Sequence, residues 1–357
     1  MLSGLRAQSL ILFILALSSP ALCSAADDTA SRAPVFATPF VALLLPLDSP
    51  DFAAPADAVR LGCQAAQAHA EPKQVIQVVR TDARPESILT EYESAVRRGA
   101  GVVVGPMTRS GVAALASITQ PGVPTVALNA PEGAVPMPPW LYTFGLGIEG
   151  EARQVAHAAI APQVHDALVV RASTQLAQRA SQAFAEEWTL LGGNVLAVET
   201  FSPGVDFSEM QQRLAISPAQ VVFLAADADQ ARAVRPYLNN QIPVYATSQV
   251  YGGRADVLGN LDLNGIRFVD MPWLVQADHP AVMIYARSNT LPLDLQRFYA
   301  LGIDACRIAA QLLGRPTRIR LDGVTGKITQ GGDHAFLREP VLAVIRDGAG
   351  VALEDQR

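Results

Sequence analysis

"GVVVGPMTRSGVAAL", Gly101 to Leu115, carries an unbroken apolar run into Gly-Pro and then into a helical pattern. Short runs of β-branched residues without polar alternation read as strands buried on both faces. Val112, Ala113, Leu115 and Ala116 come next at helical spacing, and Thr108 or Ser110 can cap them. Val102 to Val104 is therefore predicted to be a parallel strand whose carboxyl end turns, at Gly105-Pro106, into a helix. Pro106 removes a donor and stiffens that turn. Free N–H groups at a helix start attract an anion, so a carboxylate or phosphate is the generic ligand for the corner. A Walker phosphate loop does not fit, because five residues separate Gly105 from Gly111 and Val112 stands where the lysine should be. The plainer alternative, that Thr108 or Ser110 only satisfies its own helix, stays open beside it.

Working outward, the same kind of run recurs at Val41 to Leu45, Val75 to Val79, Thr125 to Leu128, Ala167 to Val170, Val195 to Val198, Val221 to Leu224 and Val244 to Ala246. Helical periodicity separates them. Ile88, Leu89, Tyr92, Ala95 and Val96 share a face, as do Ala180, Ala183, Phe184, Trp188 and Leu191 before Gly192-Gly193. A last long helix is predicted from Leu295 to Leu313, with Phe298, Leu301, Ala305, Ile308 and Leu312 inward. This alternation predicts a doubly wound α/β architecture. Eight strand units exceed one compact sheet, and Tyr142 to Gly147 breaks the rhythm, which predicts two α/β lobes closed by the final helix and a β-rich tail.

Such a body places its ligand crevice at the carboxyl ends of the strands. Four of those ends present small or polar side chains. They supply Leu47, Asp48 and Ser49; Pro106, Met107 and Thr108; Asn129, Pro131 and Glu132; and Thr247, Ser248 and Gln249. These twelve are the candidate cleft residues. An amino-acid receptor would offer a hydroxyl pair to the ligand carboxylate and an acid to its ammonium. Leu47 and Met107, nearest two of the corners, are ill suited to that task.

Composition limits function further. Half of the 357 residues are hydrophobic and 17% are charged, the profile of a globular body. A formal net charge of -6 without a basic run argues against a nucleic-acid partner, and with Lys73 and Lys327 the sole lysines there is no lysine-rich membrane face. Arg6, the apolar run Leu10 to Leu17 and the small residues around Ala25 have the layout of a signal peptide, so 1–25 is read as leader and 26–34 as tether. Membrane attachment would require lipidation of Cys23, which the bulky Leu22 before it disfavours. Cys63 and Cys306 read as small buried residues on helices; a disulfide is allowed only if those helices touch. The five histidines are scattered, and no metal-ligand spacing exists.

Enzymatic readings fare poorly. Ser110-Gly111 lacks the first glycine of a nucleophile elbow, Glu186 and Glu187 point apart on successive helix positions, and His157 has no partner in sequence. No catalytic residue and no cofactor is expected. Asp304, Trp140 and Trp273 read as structural, through a cap or ion pair and through packing.

"FVALLLPLDSP", "GAGVVVGPMTRSGVAAL", "TVALNAPE", "EARQVAHAAI", "SQAFAEEWTLLGG" and "FYALGIDACRIAAQLL" with "LDGVTGKIT" after it occur in the order seen in the penicillin-binding protein activator family LpoA. The likeness covers nearly all of the chain from Phe40 onward. More broadly the chain resembles type I periplasmic binding proteins, the fold of branched-chain amino-acid receptors. The resemblance implies two lobes and three hinge crossings, near Thr143 to Gly147, Asp270 to Trp273 and Arg318 to Gly323. Lobe 1 would then comprise 35–143 plus 273–318, and lobe 2 would comprise 144–272 plus 319–357. The activators also carry a helical-repeat N-terminal domain and a lipid anchor, where this chain shows a short tether before Val41. Functionally, the resemblance implies a periplasmic, non-enzymatic regulator whose partner is a peptidoglycan synthase. The alternative is a solute receptor for an ABC permease, taking an amino acid or similar small polar ligand.

Overall fold

The computed structural model describes residues 39–353 apart from 121, 134, 203, 205, 255 and 288–290. The predicted leader, the tether and Cys23 lie outside the described residues. Thr38–Arg357 clusters as one compact unit.

The first lobe alternates β1 (Phe40–Leu45), α1 (Ala53–Ala68), β2 (Ile76–Arg80), α2 (Pro85–Arg97), β3 (Ala100–Val104), α3 (Arg109–Ala116), β4 (Thr125–Ala127) and β5 (Leu141–Thr143). Its five strands are all parallel, in the order β2-β1-β3-β4-β5. Every residue of β1 is buried, as expected for a central strand covered by helices on both faces.

The second lobe continues with α4 (Ile148–Ala159), β6 (Asp166–Ala172), α5 (Gln175–Leu190), β7 (Asn194–Phe201), α6 (Ser208–Ala215), β8 (Val221–Ala225), α7 (Ala228–Val234), β9 (Val244–Ala246), α8 (Val257–Leu261) and β10 (Arg267–Asp270). Two short helices, α9 (Pro272–Val275) and α10 (Pro280–Met283), lead to the long α11 (Leu293–Leu313). The tail forms β11 (Arg320–Gly323), β12 (Gly326–Gln330), β13 (Phe336–Glu339), β14 (Val341–Arg346) and β15 (Ala349–Ala352). The second sheet has seven strands, β15-β14-β10-β9-β8-β6-β7, in which β14 and β15 run antiparallel to a parallel core. Strands β11 to β13 leave that sheet and form a separate antiparallel one.

Helix α11 returns to the first lobe, packing along α1 and against β3 and β4. The approach is close because glycines face each other's backbone: a Cβ at Gly62 would collide with the Tyr299 carbonyl, and one at Gly302 with the Val59 carbonyl. Helices this close bring Cys63 and Cys306 to a Cα separation of 5.4 Å, and the two are disulfide-bonded. The expectation of two unlinked buried thiols is corrected here. The helices that carry them, 243 residues apart, are in contact, which no local pattern reveals.

Candidate functional site

The corner after β3 is built around its glycine. Gly105 has φ of 111°, and a Cβ there would strike the Leu44 carbonyl of neighbouring β1. Pro106 and Met107, the next two residues, are both buried, and the Pro106 carbonyl accepts from Leu128 N–H at 2.8 Å. Thr108 Oγ1 accepts from Gly111 N–H at 3.2 Å and so caps α3, the plainer of the two sequence readings. Asn129 ties this corner to the end of β4. Its Nδ2 donates to the Met107 carbonyl at 3.0 Å while its Oδ1 accepts from Ala130 N–H at 3.0 Å.

Of the remaining lobe 1 candidates, all but Glu132 are engaged by neighbouring protein groups. Leu47 packs half-buried against the core, and exposed Asp48 pairs with Arg80 at the end of β2. The carbonyl of buried Ser49 accepts from Phe52 and Ala53 N–H, opening α1. The Pro131 carbonyl accepts from Arg109 Nη2 at 3.3 Å, and Glu132 is exposed.

In lobe 2, a cavity of about 190 Å³ sits at the carboxyl ends of β6, β8 and β9. Thr247 and Gln249 line it together with Thr174, Asp227 and Gln230. Thr174 caps α5 through Ala177 N–H, and Asp227 with Gln230 forms a reciprocal capping box on α7. Of the predicted residues, this cavity gathers only Thr247 and Gln249; Asn129 lines a separate one.

Ser248 opens onto a buried charge network that sequence reasoning missed. Its N–H donates to Glu151 Oε2 at 3.1 Å and its carbonyl accepts from Arg297 Nη2 at 3.0 Å. Arg297 also binds Asp270 Oδ2 at 2.9 Å, and Glu151 binds Arg338 at 3.3 Å. Burial pulls the Arg297 pKa down, but Asp270, then Glu151 and Asp294, outweigh it and hold the guanidinium above its ordinary value. One signal was present. Arg297 lies four residues before Leu301 on the inward face of α11, where the periodic reading begins with Phe298, which is only half-buried.

Among the described residues, no group of three or more His, Cys, Asp or Glu could hold a metal ion. No described helix is long and apolar enough to cross a membrane.

Two doubly wound parallel-sheet lobes with a helix returning from the second to the first, and strand ends facing a crevice, define the type I periplasmic binding protein fold. The family model described as "LppC putative lipoprotein" matches residues 36–217 and 209–341, and the chain belongs to that family. Membership implies an exported protein of the cell envelope. A penicillin-binding protein activator LpoA from Edwardsiella piscicida is 28% identical over 315 residues, covering 75% of this chain and 44% of the activator. The chain thus spans less than half the length of that relative. Among solved structures, one from Chromobacterium violaceum described as a "putative branched-chain amino acid ABC transporter" is 37% identical with a TM-score of 0.73, over 86% of this chain and 99% of that one. The C-domain of LpoA from Haemophilus influenzae, described as a regulator of PBP1A, matches at 24% identity and a TM-score of 0.73, over 88% and 99%.

Proposed function

We propose that the chain is a non-enzymatic regulator of the envelope that stimulates peptide cross-linking by a bifunctional penicillin-binding protein. The observation that carries this reading is the alignment with penicillin-binding protein activators over 75% of the chain. The strand ends support it. Thr108, Asn129, Thr174 and Asp227 spend side-chain bonding capacity on their own caps and turns, where a receptor would direct it at a ligand carboxylate and ammonium. The domain reading carried with the proposal is lobe 1 as 35–143 plus 273–318 and lobe 2 as 144–272 plus 319–357. Export to the periplasm without lipidation of Cys23 completes it.

The test measures transpeptidation by the organism's own bifunctional synthase with and without the purified chain. A rise in cross-linked product supports the regulator, and an unchanged rate with no complex on a sizing column sinks it.

A receptor reading rests on the 37% identical structure described as a transporter protein and on the cavity beside Thr247 and Gln249. Calorimetric titration with the twenty amino acids distinguishes the two. Saturable binding that Thr247→Val and Gln249→Ala abolish supports the receptor, and its absence leaves the regulator.

A further inference from the structure

A second cavity, of about 480 Å³, opens between the end of β4 and the first turns of α4 and shares no lining residue with the cavity beside Thr247. Its volume falls within the range of pockets that enclose drug-sized ligands. Four guanidinium groups line it, Arg109, Arg153, Arg179 and Arg338, against two carboxylates, Glu149 and Glu151. Both carboxylates are committed: Glu149 to Arg179, whose Nε lies 2.7 Å from it, and Glu151 to Arg338 and to Ser248 N–H.

The two least committed of the four are Arg109 and Arg153. Arg109, at the start of α3, meets the Pro131 carbonyl at 3.3 Å. Arg153 stands 3.8 Å from Glu187, a carboxylate that His157 also reaches at 2.9 Å. Arg109 comes from lobe 1 and Arg153 from lobe 2, so an anion held by both would span the lobes. The wall beside them is apolar, with Phe336, Leu337 and Pro340, and a Cβ added at Gly150 would meet nothing within 4 Å. A guanidinium fork matches the two oxygens of a carboxylate, and a strip of apolar wall suits the stems of the side chains that carry it.

We infer that this cavity is a binding site for a short acidic peptide, with Arg109 and Arg153 each receiving one of its carboxylates. The inference does not rest on the regulator reading, since it comes from the cavity's own charge and shape.

The experiment titrates the purified chain with acetyl-triglutamate-amide and, in parallel, with acetyl-triglutamine-amide and inorganic phosphate, reading heat of binding and the thermal midpoint. The expected result is saturable binding of the triglutamate alone, weakened about tenfold between 50 mM and 200 mM salt. Arg109→Gln and Arg153→Gln should each weaken it at least fivefold. Gly150→Leu, which adds bulk at a lining position where a Cβ meets nothing within 4 Å, should weaken it while circular dichroism stays as in the parent and the ligand-free midpoint is no lower. Equal binding of triglutamine, binding of phosphate in place of the peptide, or triglutamate binding indifferent to all three substitutions would each overturn the site.

Discussion

Asp304 shows how a single carboxylate can hold two segments that sequence keeps apart. Fully buried on α11, it accepts from Val324 N–H at 3.2 Å and from the Thr325 N–H and hydroxyl, both at 2.8 Å, and pairs with Arg307 at 2.9 Å. Burial pushes its pKa up, while Arg307 and the Thr325 and Val324 donors pull against that. Asp304→Ala would strand those donors at the turn between β11 and β12, so a loss of roughly 3 kcal/mol is expected, read as a lower urea midpoint. Glu199 gives the pH counterpart. Its hydrogen bond from Arg213 holds its pKa below the ordinary 4.5, with burial opposing. The unfolded chain therefore takes up this proton first as pH falls, and the native state loses the pair's stabilisation from 4.5 downward through the lower native value. Arg213 is more than half exposed, so the effect is small, a few tenths of a kcal/mol to about 1. Glu199→Gln should lower the thermal midpoint slightly above pH 6, where the parent pair is intact, and converge with the parent as pH falls below the native value, flattening that part of the acid slope.

At the scale of elements, the pairing of α1 with α11 depends on small residues at 62 and 302 and on the bond between Cys63 and Cys306. A crosslink spanning 243 residues restricts the unfolded chain strongly, and the chain-entropy account puts its contribution at about 5.5 kcal/mol at most. Cys63→Ser, or reduction of the parent, should lower the denaturant midpoint by an amount of that order, whereas reductant should leave Cys63→Ser itself unmoved. The eight predicted strands are all present, because a run such as Val221 to Leu224 between helical segments carries its own signal. Strand β5, Leu141–Thr143, was not legible: Leu-Tyr-Thr is not an apolar run of the kind that marked the other strands, and Tyr142 and Thr143 read as part of a break in the rhythm. The candidate site divides similarly. Thr108 as a cap was readable from spacing alone, whereas the buried partners of Arg297 lie 27 and 49 residues away and are fixed only by the packed lobes.

For the whole molecule, the network through Ser248 joins elements of both lobes. Helix α11 packs on α1, β3 and β4 of the first lobe, yet its Arg297 binds Asp270 at the end of β10 and the Ser248 carbonyl beyond β9, both in the second. Glu151 on α4 extends the chain of contacts to Arg338 on β13. Hinge opening in a two-lobed body works by bending short crossings while the lobes stay rigid, and a buried pair laid across one crossing opposes it. Removing one partner leaves the other charge buried alone, so Arg297→Ala should cost about 3–5 kcal/mol. Arg297→Met with Asp270→Asn removes both charges, keeps an acceptor for Met271 N–H, and should recover most of that loss. Small-angle scattering then reads the mechanical role separately from stability. The parent should keep one radius of gyration across a panel of amino acids, and the double variant should show a larger radius at similar stability. Equal radii in parent and double variant would mean that the pair stabilises the fold without restraining the lobes, and the restraint would have to be sought in the shared packing of α11.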